Sequence, residues 1–239
     1  MAVVVWALYA ALVFTVQKAM GVPYQEWGDS PQNLWRGAVV SLIVGGALTA
    51  ILTTILGWWR PVLFETRRDT VRWAWISPIA MILLLAVNLA AIDYATLGPE
   101  FLLAAGALGL GVGFAEEMFS RGLMLVSLRS ALTERSVWIW TSLAFGTFHL
   151  INIGLGAPVV TTLVQVVQAS LSGTIFYLAR RLSGTLIVPM ALHGAWDFAQ
   201  FAQPKAPLFD PASSLIVFIG VFAVFAAWRM TSPERKAAH

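Results

Sequence analysis

The sequence contains no cysteine, and only 11% of its residues are charged. Without a thiol the chain has no thiolate nucleophile, no thiolate metal ligand and no disulfide framework. The low share of charge excludes an ordinary soluble domain, in which roughly a quarter of residues are charged. It also excludes a disordered chain, because disordered chains are poor in apolar residues. What the sequence does have is 59% hydrophobic residues and a mean hydropathy of +0.77, which indicate an integral membrane protein.

A helix that crosses a bilayer core of about 30 Å needs about 20 mainly apolar residues. Eight segments of the chain approach this length, with no internal repeat and no soluble domain between them. We therefore predict an all-α fold, a polytopic membrane helix bundle of about eight transmembrane helices, in a single transmembrane domain over residues 1–239. We expect the first segment to be a retained helix, because no Lys or Arg precedes it and it shows no clear small-residue cleavage site. The segments are Ala2–Met20, Leu34–Trp58, Trp73–Ile92, Glu100–Leu128, Val137–Ile153, Pro158–Leu178, Thr185–Phe201 and Ser213–Trp228.

Positive charge is distributed unevenly between the two sets of predicted loops. Of the 15 Lys and Arg residues, 11 fall in one set of loops and three in the other, while Arg121 is inside a helix. The positive-inside rule places the more basic set in the cytoplasm. We therefore predict a multi-pass protein of the plasma membrane with both termini cytoplasmic. The larger set comprises Arg60, Arg67, Arg68, Arg72, Arg129, Arg135, Arg180, Arg181, Arg229, Arg235 and Lys236, and the smaller set comprises Lys18, Arg36 and Lys205.

The net charge of +3 and the isoelectric point near 9.6 would also fit a protein that binds nucleic acid or anionic lipid. Short arginine pairs at helix ends are what membrane orientation requires, however, and they account for the basic loops without a further ligand. We therefore predict membrane lipid as a partner and no nucleic acid. The sequence leaves the oligomeric state open.

A small group of ionisable residues lies inside the predicted membrane segments, where charge is costly and each instance suggests function. On three different segments these residues lie roughly 12–18 Å from the predicted cytoplasmic end, at 1.5 Å of rise per residue. They therefore share one level of the bundle, in reach of the cytoplasmic half. The residues are Glu116, Glu117, Arg121, His149, His193 and Asp197.

The spacing of these residues indicates which of them share a helix face. Glu117 and Arg121 are four residues apart and can pair, and Glu116 points about 100° away from them. His193 and Asp197 have the same spacing, so this carboxylate can fix the tautomer of the imidazole or share a site with it. Neighbouring carboxylates with two histidines suit acid–base activation of water.

The same residues permit a metal site, because Glu116, His149 and His193 are a ligand set that suits zinc. Neither an HExxH motif nor a cysteine pair is present, so the sequence does not demand a metal. We predict that no metal is tightly bound, and we keep Zn²⁺ as the candidate if the protein depends on one.

Each of these features also has a simpler structural explanation. A single histidine in a membrane helix is usually an interhelical hydrogen-bond donor, and a buried Glu–Arg pair is as often structural as functional. A proton-coupled transporter would use the same residue types, but transporters often show repeats, and none is visible here. The joint occurrence of two histidines and three carboxylates at one depth favours a functional site. Gly106, Gly109, Gly111 and Gly113 before it indicate close helix packing or, less favoured, local unwinding.

Three short motifs carry a resemblance to a known family. Glu116–Arg121 reads EExxxR, Phe145–His149 reads FxxxH, and His193–Asp197 reads HxxxD. In this order and at these separations they resemble the CAAX prenyl endopeptidase type II and bacteriocin-processing family, also called CPBP or Abi, of intramembrane proteases. The resemblance covers a predicted protease core at residues 100–201.

This resemblance implies an eight-helix membrane protease with a cavity open to the cytoplasm or inner leaflet. It implies that Glu116 and His149 activate the attacking water, and that His193 with Asp197 stabilises the oxyanion. Asp197 stands where the family often has Asn, and an ionised Asp cannot donate to an oxyanion, so its part in that step is open. The remaining motif residues, which would support the site, are Glu117, Arg121 and Phe145.

The implied substrate is a membrane-associated or lipidated, CAAX-like protein or peptide. Family members have been described both as metalloproteases and as glutamate-dependent proteases without metal. Because such a fold can also be kept for binding alone, a non-catalytic membrane partner or immunity protein is the alternative function.

Overall fold

The structure is a computed structural model that describes residues 1–69 and 71–232. Within these residues the chain is helical, with short connections and no β-strand longer than an isolated bridge. The long helices are numbered in chain order. They are α1 (Ala2–Met20), α2 (Pro31–Ile55), α3 (Arg72–Ala90), α4 (Pro99–Leu128), α5 (Glu134–Phe148), α6 (Val159–Ser183), α7 (Ile187–Ala202) and α8 (Ser213–Met230).

The long helices correspond in order to the predicted segments, which confirms an all-helical, multi-pass membrane protein. Six of them are long and apolar enough to cross a membrane, namely all except α5 and α7. The two exceptions have 15 and 16 residues, so at 1.5 Å per residue they span only about 22–24 Å. The number of eight crossings therefore remains a prediction.

Two helix ends differ from the sequence-based boundaries for identifiable reasons. Helix α5 ends at Phe148, and the chain turns at His149 before a short helix, Ile151–Gly154, whereas one continuous segment was predicted. Helix α6 continues past the predicted end to Ser183, and Gly184 ends it in the left-handed conformation at φ 86°. The longer helix is possible because Arg180 and Arg181, which resemble loop residues in the sequence, are buried and paired.

Glycines allow α4 and α7 to pack backbone against backbone. A Cβ added at Gly109 would lie 2.6 Å from the carbonyl oxygen of Gly194, and one at Gly113 would meet the backbone of Met190. Helix α4 is regular through Gly113, so Gly109 and Gly113 confirm close packing without unwinding. Gly111 approaches the side chain of Leu42, and a Cβ at Gly106 would meet nothing within 4 Å. After Glu117 the helix widens into a π-helical stretch, Met118–Met124, before it becomes regular again.

The bundle has two ends, which its loops define. At one end, called the basic end, the segment around Glu65 lies against the connections that lead into α5 and α7. Arg129, before α5, donates to Glu65, and the Leu186 amide, before α7, donates to the Leu63 carbonyl. At the other, called the opposite end, Lys18 near the end of α1 donates to the Gly154 carbonyl. The loops of the basic end are 56–69, 129–133 and 184–186, and those of the opposite end are 21–30, 91–98, 149–158 and 203–212.

A buried ion-pair network closes the basic end. Glu65 accepts from Arg129 at 2.7 Å and from Arg180 at 3.0 Å, and Glu134 accepts from Arg129 at 2.6 Å and from Arg181 at 3.0 Å. These side chains are at most 9% exposed. Several arginines predicted as loop charges are therefore internal. Arg235 and Lys236, which were predicted on the same side, lie outside the described residues.

Candidate active site

The first part of the site lies where α4 passes from regular helix to the π-helical stretch. Arg121 donates from Nη1 to Oε1 of Glu117 at 2.8 Å, and both side chains are fully buried. This confirms the predicted pairing of the two residues. The guanidinium also lies 4.1 Å from the centroid of the Phe145 ring, which adds a cation–π contact. π-Helical insertions of this kind occur frequently at functional sites.

The second part is His193 on α7, which is anchored by Glu117. Its Nδ1 lies 3.0 Å from Oε1 of Glu117, and because a carboxylate accepts, the geometry assigns the hydrogen to Nδ1. Its Nε2 lies 3.8 Å from Oδ1 of Asp197, which is longer than a hydrogen bond. Of the two predicted roles of Asp197, fixing the tautomer belongs to Glu117 instead, whereas sharing a site with His193 holds, since both residues line one cavity. Phe176 stacks on the imidazole with centroids 4.5 Å apart.

The third part is His149, just beyond the last residue of α5. Its Nδ1 donates to the backbone carbonyl of Phe145 at 3.0 Å, since a carbonyl oxygen can only accept. In the neutral ring this leaves Nε2 without a hydrogen and able to take a proton. The buried ring of Phe145 lies edge-to-face with His149 at 5.3 Å and with His193 at 5.4 Å. One aromatic ring thus contacts both histidines and the arginine of the site.

Glu116 is placed less directly than the other motif residues. It is buried, with 9% exposure, and its backbone carbonyl accepts from the Ser120 hydroxyl. Its carboxyl group is close enough to His193 and Asp197 for electrostatic interaction. Within the described residues no hydrogen bond joins it to His149, so the predicted Glu116–His149 pair is not formed by direct contact.

A cavity of about 770 Å³ begins at this site. His149, His193 and Asp197 line its inner part, together with Phe145 and Phe176. Its outer part is lined by residues of the opposite end of the bundle, and Glu116 is not among the described residues that line it. The outer lining includes Tyr24, Gln25, Gly28, Pro158, Phe201 and Ser214.

The direction of this cavity bears on two expectations at once. Both Ala2 at the start of α1 and Met230 at the end of α8 lie at the basic end, whereas the cavity reaches the opposite end. A cavity open to the cytoplasm and cytoplasmic termini therefore cannot both hold in this structure. The physical reason is that the ion-pair network fills the basic end.

The donor set does not fit a metal site. Among the described residues, no group of three or more His, Asp or Glu side chains is arranged to hold a metal ion. Glu116, the carboxylate of the predicted ligand set, stands behind the cavity lining. The Nδ1 contacts of His149 and His193 with Phe145 and Glu117 do not decide the matter, because metal-ligating histidines make the same contacts.

Two residues of α6 complete the site without having stood out in the sequence. Phe176 stacks on His193, and Gly173 leaves room for Arg121, because a Cβ there would lie 2.5 Å from Nη2 of the guanidinium. Phe176 is one of 14 phenylalanines in a mostly apolar chain. Nothing in its local sequence marks it, and only the packing of α6 against the motif helices identifies it.

Residues 98–199 match the family model described as Type II CAAX prenyl endopeptidase Rce1-like. The match confirms the resemblance carried by the three motifs, and it spans almost the same residues as the predicted protease core. The family is one of proteases, which supports an intramembrane enzyme of CAAX type. Comparisons with curated proteins and with solved structures give no match.

Proposed function

We propose that this protein is an intramembrane endopeptidase that hydrolyses a peptide bond of a membrane-associated or lipidated protein or peptide. One observation carries the proposal. Two histidines face the same membrane-embedded cavity in different states, His149 with a free Nε2 and His193 anchored by Glu117. Such a pair suits the two needs of amide hydrolysis, a base for water and a donor for the developing oxyanion.

In the proposed reaction the base acts from the His149 side of the cavity. The oxygen of a water molecule attacks the carbonyl carbon while one proton of the water moves to Nε2 of His149. The EExxxR motif assigns Glu116 to the same step, and without a direct hydrogen bond to His149 it acts on the water or through its charge in a site of low dielectric. When the tetrahedral intermediate collapses, the C–N bond breaks and the leaving nitrogen takes the proton. The products are a new carboxyl terminus and a new amino terminus.

The oxyanion is stabilised from the His193 side. Nδ1 of His193 is occupied by Glu117, so Nε2 is the atom that faces the cavity. With a proton on both nitrogens the ring donates from Nε2 to the carbonyl oxygen as that oxygen becomes negative. Glu117 and Asp197 flank the ring and compensate its positive charge. Arg121 and Phe145 hold Glu117 and the two rings in place.

The test compares peptide termini in membranes of cells that express the native chain, Glu116→Ala or Glu100→Ala. Glu100 is an exposed acid in the first turn of the same helix and is the matched control. We expect new termini with the native chain and with Glu100→Ala, and none with Glu116→Ala. The new termini would also identify the substrate.

The same termini in cells with Glu116→Ala at equal abundance would contradict the proposal. If the native chain is folded and abundant and produces no new termini, the endopeptidase function is refuted and a non-catalytic membrane partner becomes the better reading. Ion or solute flux into proteoliposomes that is lost in Glu116→Ala would instead indicate a transporter. Cleavage that persists in the presence of a zinc chelator is expected, and its loss would establish Zn²⁺ dependence.

A further inference from the structure

The wall of the cavity carries a polar stripe that the three motifs do not include. On α6, Thr161, Gln165, Gln168 and Ser172 all line the cavity. Their spacing of four, three and four residues is that of one helix face. This stripe leads from the opposite end of the bundle inward to the level of the histidines.

The facing wall on α7 has the same character. Gln200 lies one turn beyond Asp197 on the cavity side, and its amide donates to Asn88. Ser213 at the start of α8 lines the cavity and donates to the same Asn88 oxygen at 2.7 Å. No Lys or Arg is among the described lining residues, and Asp197 is the one acid among them. Amide and hydroxyl groups without charge match the donors and acceptors of a peptide backbone.

An apolar ligand would have better surfaces elsewhere on the bundle. A groove of about 640 Å³ between α3, α4 and α7 is lined by glycine, alanine and apolar side chains, including Leu89 and Phe198. It faces the lipid side of the glycine contact between α4 and α7. A hydrocarbon chain gains nothing from a stripe of polar side chains, because it displaces water from them and offers them no hydrogen bond in return.

The distribution of exposed charge sets the side to which the cavity opens. The basic end carries exposed arginines between α2 and α3 and at the adjoining ends of α3 and α8, namely Arg60, Arg67, Arg68, Arg72 and Arg229. The opposite end has three Lys and Arg side chains, which are also exposed and donate to nearby backbone carbonyls. Lys18 bonds Gly154, Arg36 bonds Met20 and Lys205 bonds Asp29. The positive-inside rule compares the number of Lys and Arg residues at the two ends, and the larger number at the basic end places that end in the cytoplasm.

We propose that the cavity opens to the extracytoplasmic face and takes an uncharged, polar stretch of peptide in extended form from that side. The peptide part rests on the endopeptidase function, whereas the direction of the cavity does not. The sealed network of Glu65 and Glu134 with their arginines blocks access from the cytoplasm. The substrates are therefore membrane-anchored proteins or peptides whose scissile segment has already crossed the membrane.

The absence of cysteine makes the proposal directly testable by single-cysteine labelling. Three matched serine variants report on three places. Ser214→Cys lies at the exposed outer part of the cavity, Ser172→Cys in its buried wall, and Ser130→Cys in an exposed loop of the basic end. Each is labelled in right-side-out and in inverted membrane vesicles with a charged, membrane-impermeant thiol reagent.

We expect Ser214→Cys and Ser172→Cys to react in right-side-out vesicles, and Ser130→Cys to react only in inverted ones. Labelling of Ser214→Cys or Ser172→Cys in inverted vesicles, or labelling of one position in both kinds of vesicle, would contradict the proposed opening of the cavity to the extracytoplasmic face. If Ser172→Cys reacts with a lipid-soluble maleimide but not with the charged reagent, the cavity is not hydrated and the peptide assignment fails. Labelling needs no catalysis, so these outcomes are independent of a failure of the endopeptidase function.

Discussion

The basic end and the active site treat buried carboxylates in different ways. At the basic end both oxygens of Glu65 accept hydrogen bonds from arginines, and both oxygens of Glu134 do the same. In the site, Oε1 of Glu117 accepts from Arg121 and His193, while Oε2 has no partner among the described residues. Nη2 of Arg121 is likewise without a hydrogen bond there.

This difference separates a structural use of charge from a functional one. A carboxylate with both oxygens paired is fixed in one arrangement, whereas a buried carboxylate oxygen without a partner is costly and calls for a functional explanation. The same contrast holds for access, because the network closes one end and a neutral polar cavity opens the other. The two regions should therefore respond differently to substitution. Substitutions in the site should change mainly the cleavage rate, and substitutions at the basic end should change mainly the free energy of unfolding.

The largest effect is expected from His149→Ala at the site. Loss of the proposed base should lower the cleavage rate about 10²–10⁴-fold, the usual contribution of a positioned acid–base group. Stability should change little, because the ring is only partly buried at the end of α5. The rate constant and the unfolding midpoint are measured in detergent. Thr147→Ala on the same helix is the control, and equal rates in both variants would refute the assignment.

Arg180→Leu tests the basic end. The substitution leaves Glu65 and three backbone carbonyls without their buried donor, and breaking such a pair costs about 3–5 kcal/mol. We expect the unfolding free energy to fall by this amount, as followed by tryptophan fluorescence. Arg229→Leu, an exposed arginine on α8, should change it by less than about 0.5 kcal/mol. Similar losses in both variants would show that the network is not what stabilises this end.

Acid should weaken the basic end. Burial alone would raise the pKa of Glu134, but hydrogen bonds and charge from Arg129, with the charge of Arg181, lower that pKa from 4.5 to about 2. A lowered pKa in the folded state contributes stability that is complete above pH 4.5 and is lost as the pH falls towards 2. The loss should be on the order of 3 kcal/mol at 1.36 kcal/mol per pKa unit. Unfolding is measured against pH, and a Glu134→Gln variant that keeps the full acid dependence would contradict this account.

The sequence was sufficient to predict the long helices and the residues whose side chains meet at the site. Long apolar runs locate all eight long helices, because a helix that crosses a bilayer requires such a run. For α1 the predicted first and last residues are also those of the structure. The spacing of Glu117 and Arg121 predicts their contact, since residues four apart share a helix face. Motifs at one depth on three helices predict that their side chains converge, and Glu117 does bind His193.

What could not be read from the sequence depends on contacts between distant segments. The pairing of Glu65 with Arg180 joins residues 115 apart, and no local pattern predicts it. Because that pairing buries an apparent loop arginine, the end of α6 and the closure of the basic end were both missed. The direction of the cavity follows from which loops pack over it, such as Tyr24 with Gln165. Periodicity along one helix contains no such information.

The smallest effect, and the sharpest for the mechanism, is expected from Asp197→Asn. Asp197 lies 3.8 Å from Nε2 of His193 and is 29% exposed, so solvent screens its interaction with the ring. If its charge stabilises the protonated ring, Asn should lower kcat about tenfold, or about 1.4 kcal/mol, and leave KM unchanged. Asp197→Glu should then restore part of the rate. If a side-chain donor is what the oxyanion needs, Asn retains full activity instead and Glu does not. The pH profile of kcat separates the two cases further, because only a carboxylate that stabilises the protonated ring makes the rate of the Asn variant begin to fall at lower pH, where His193 then loses its proton.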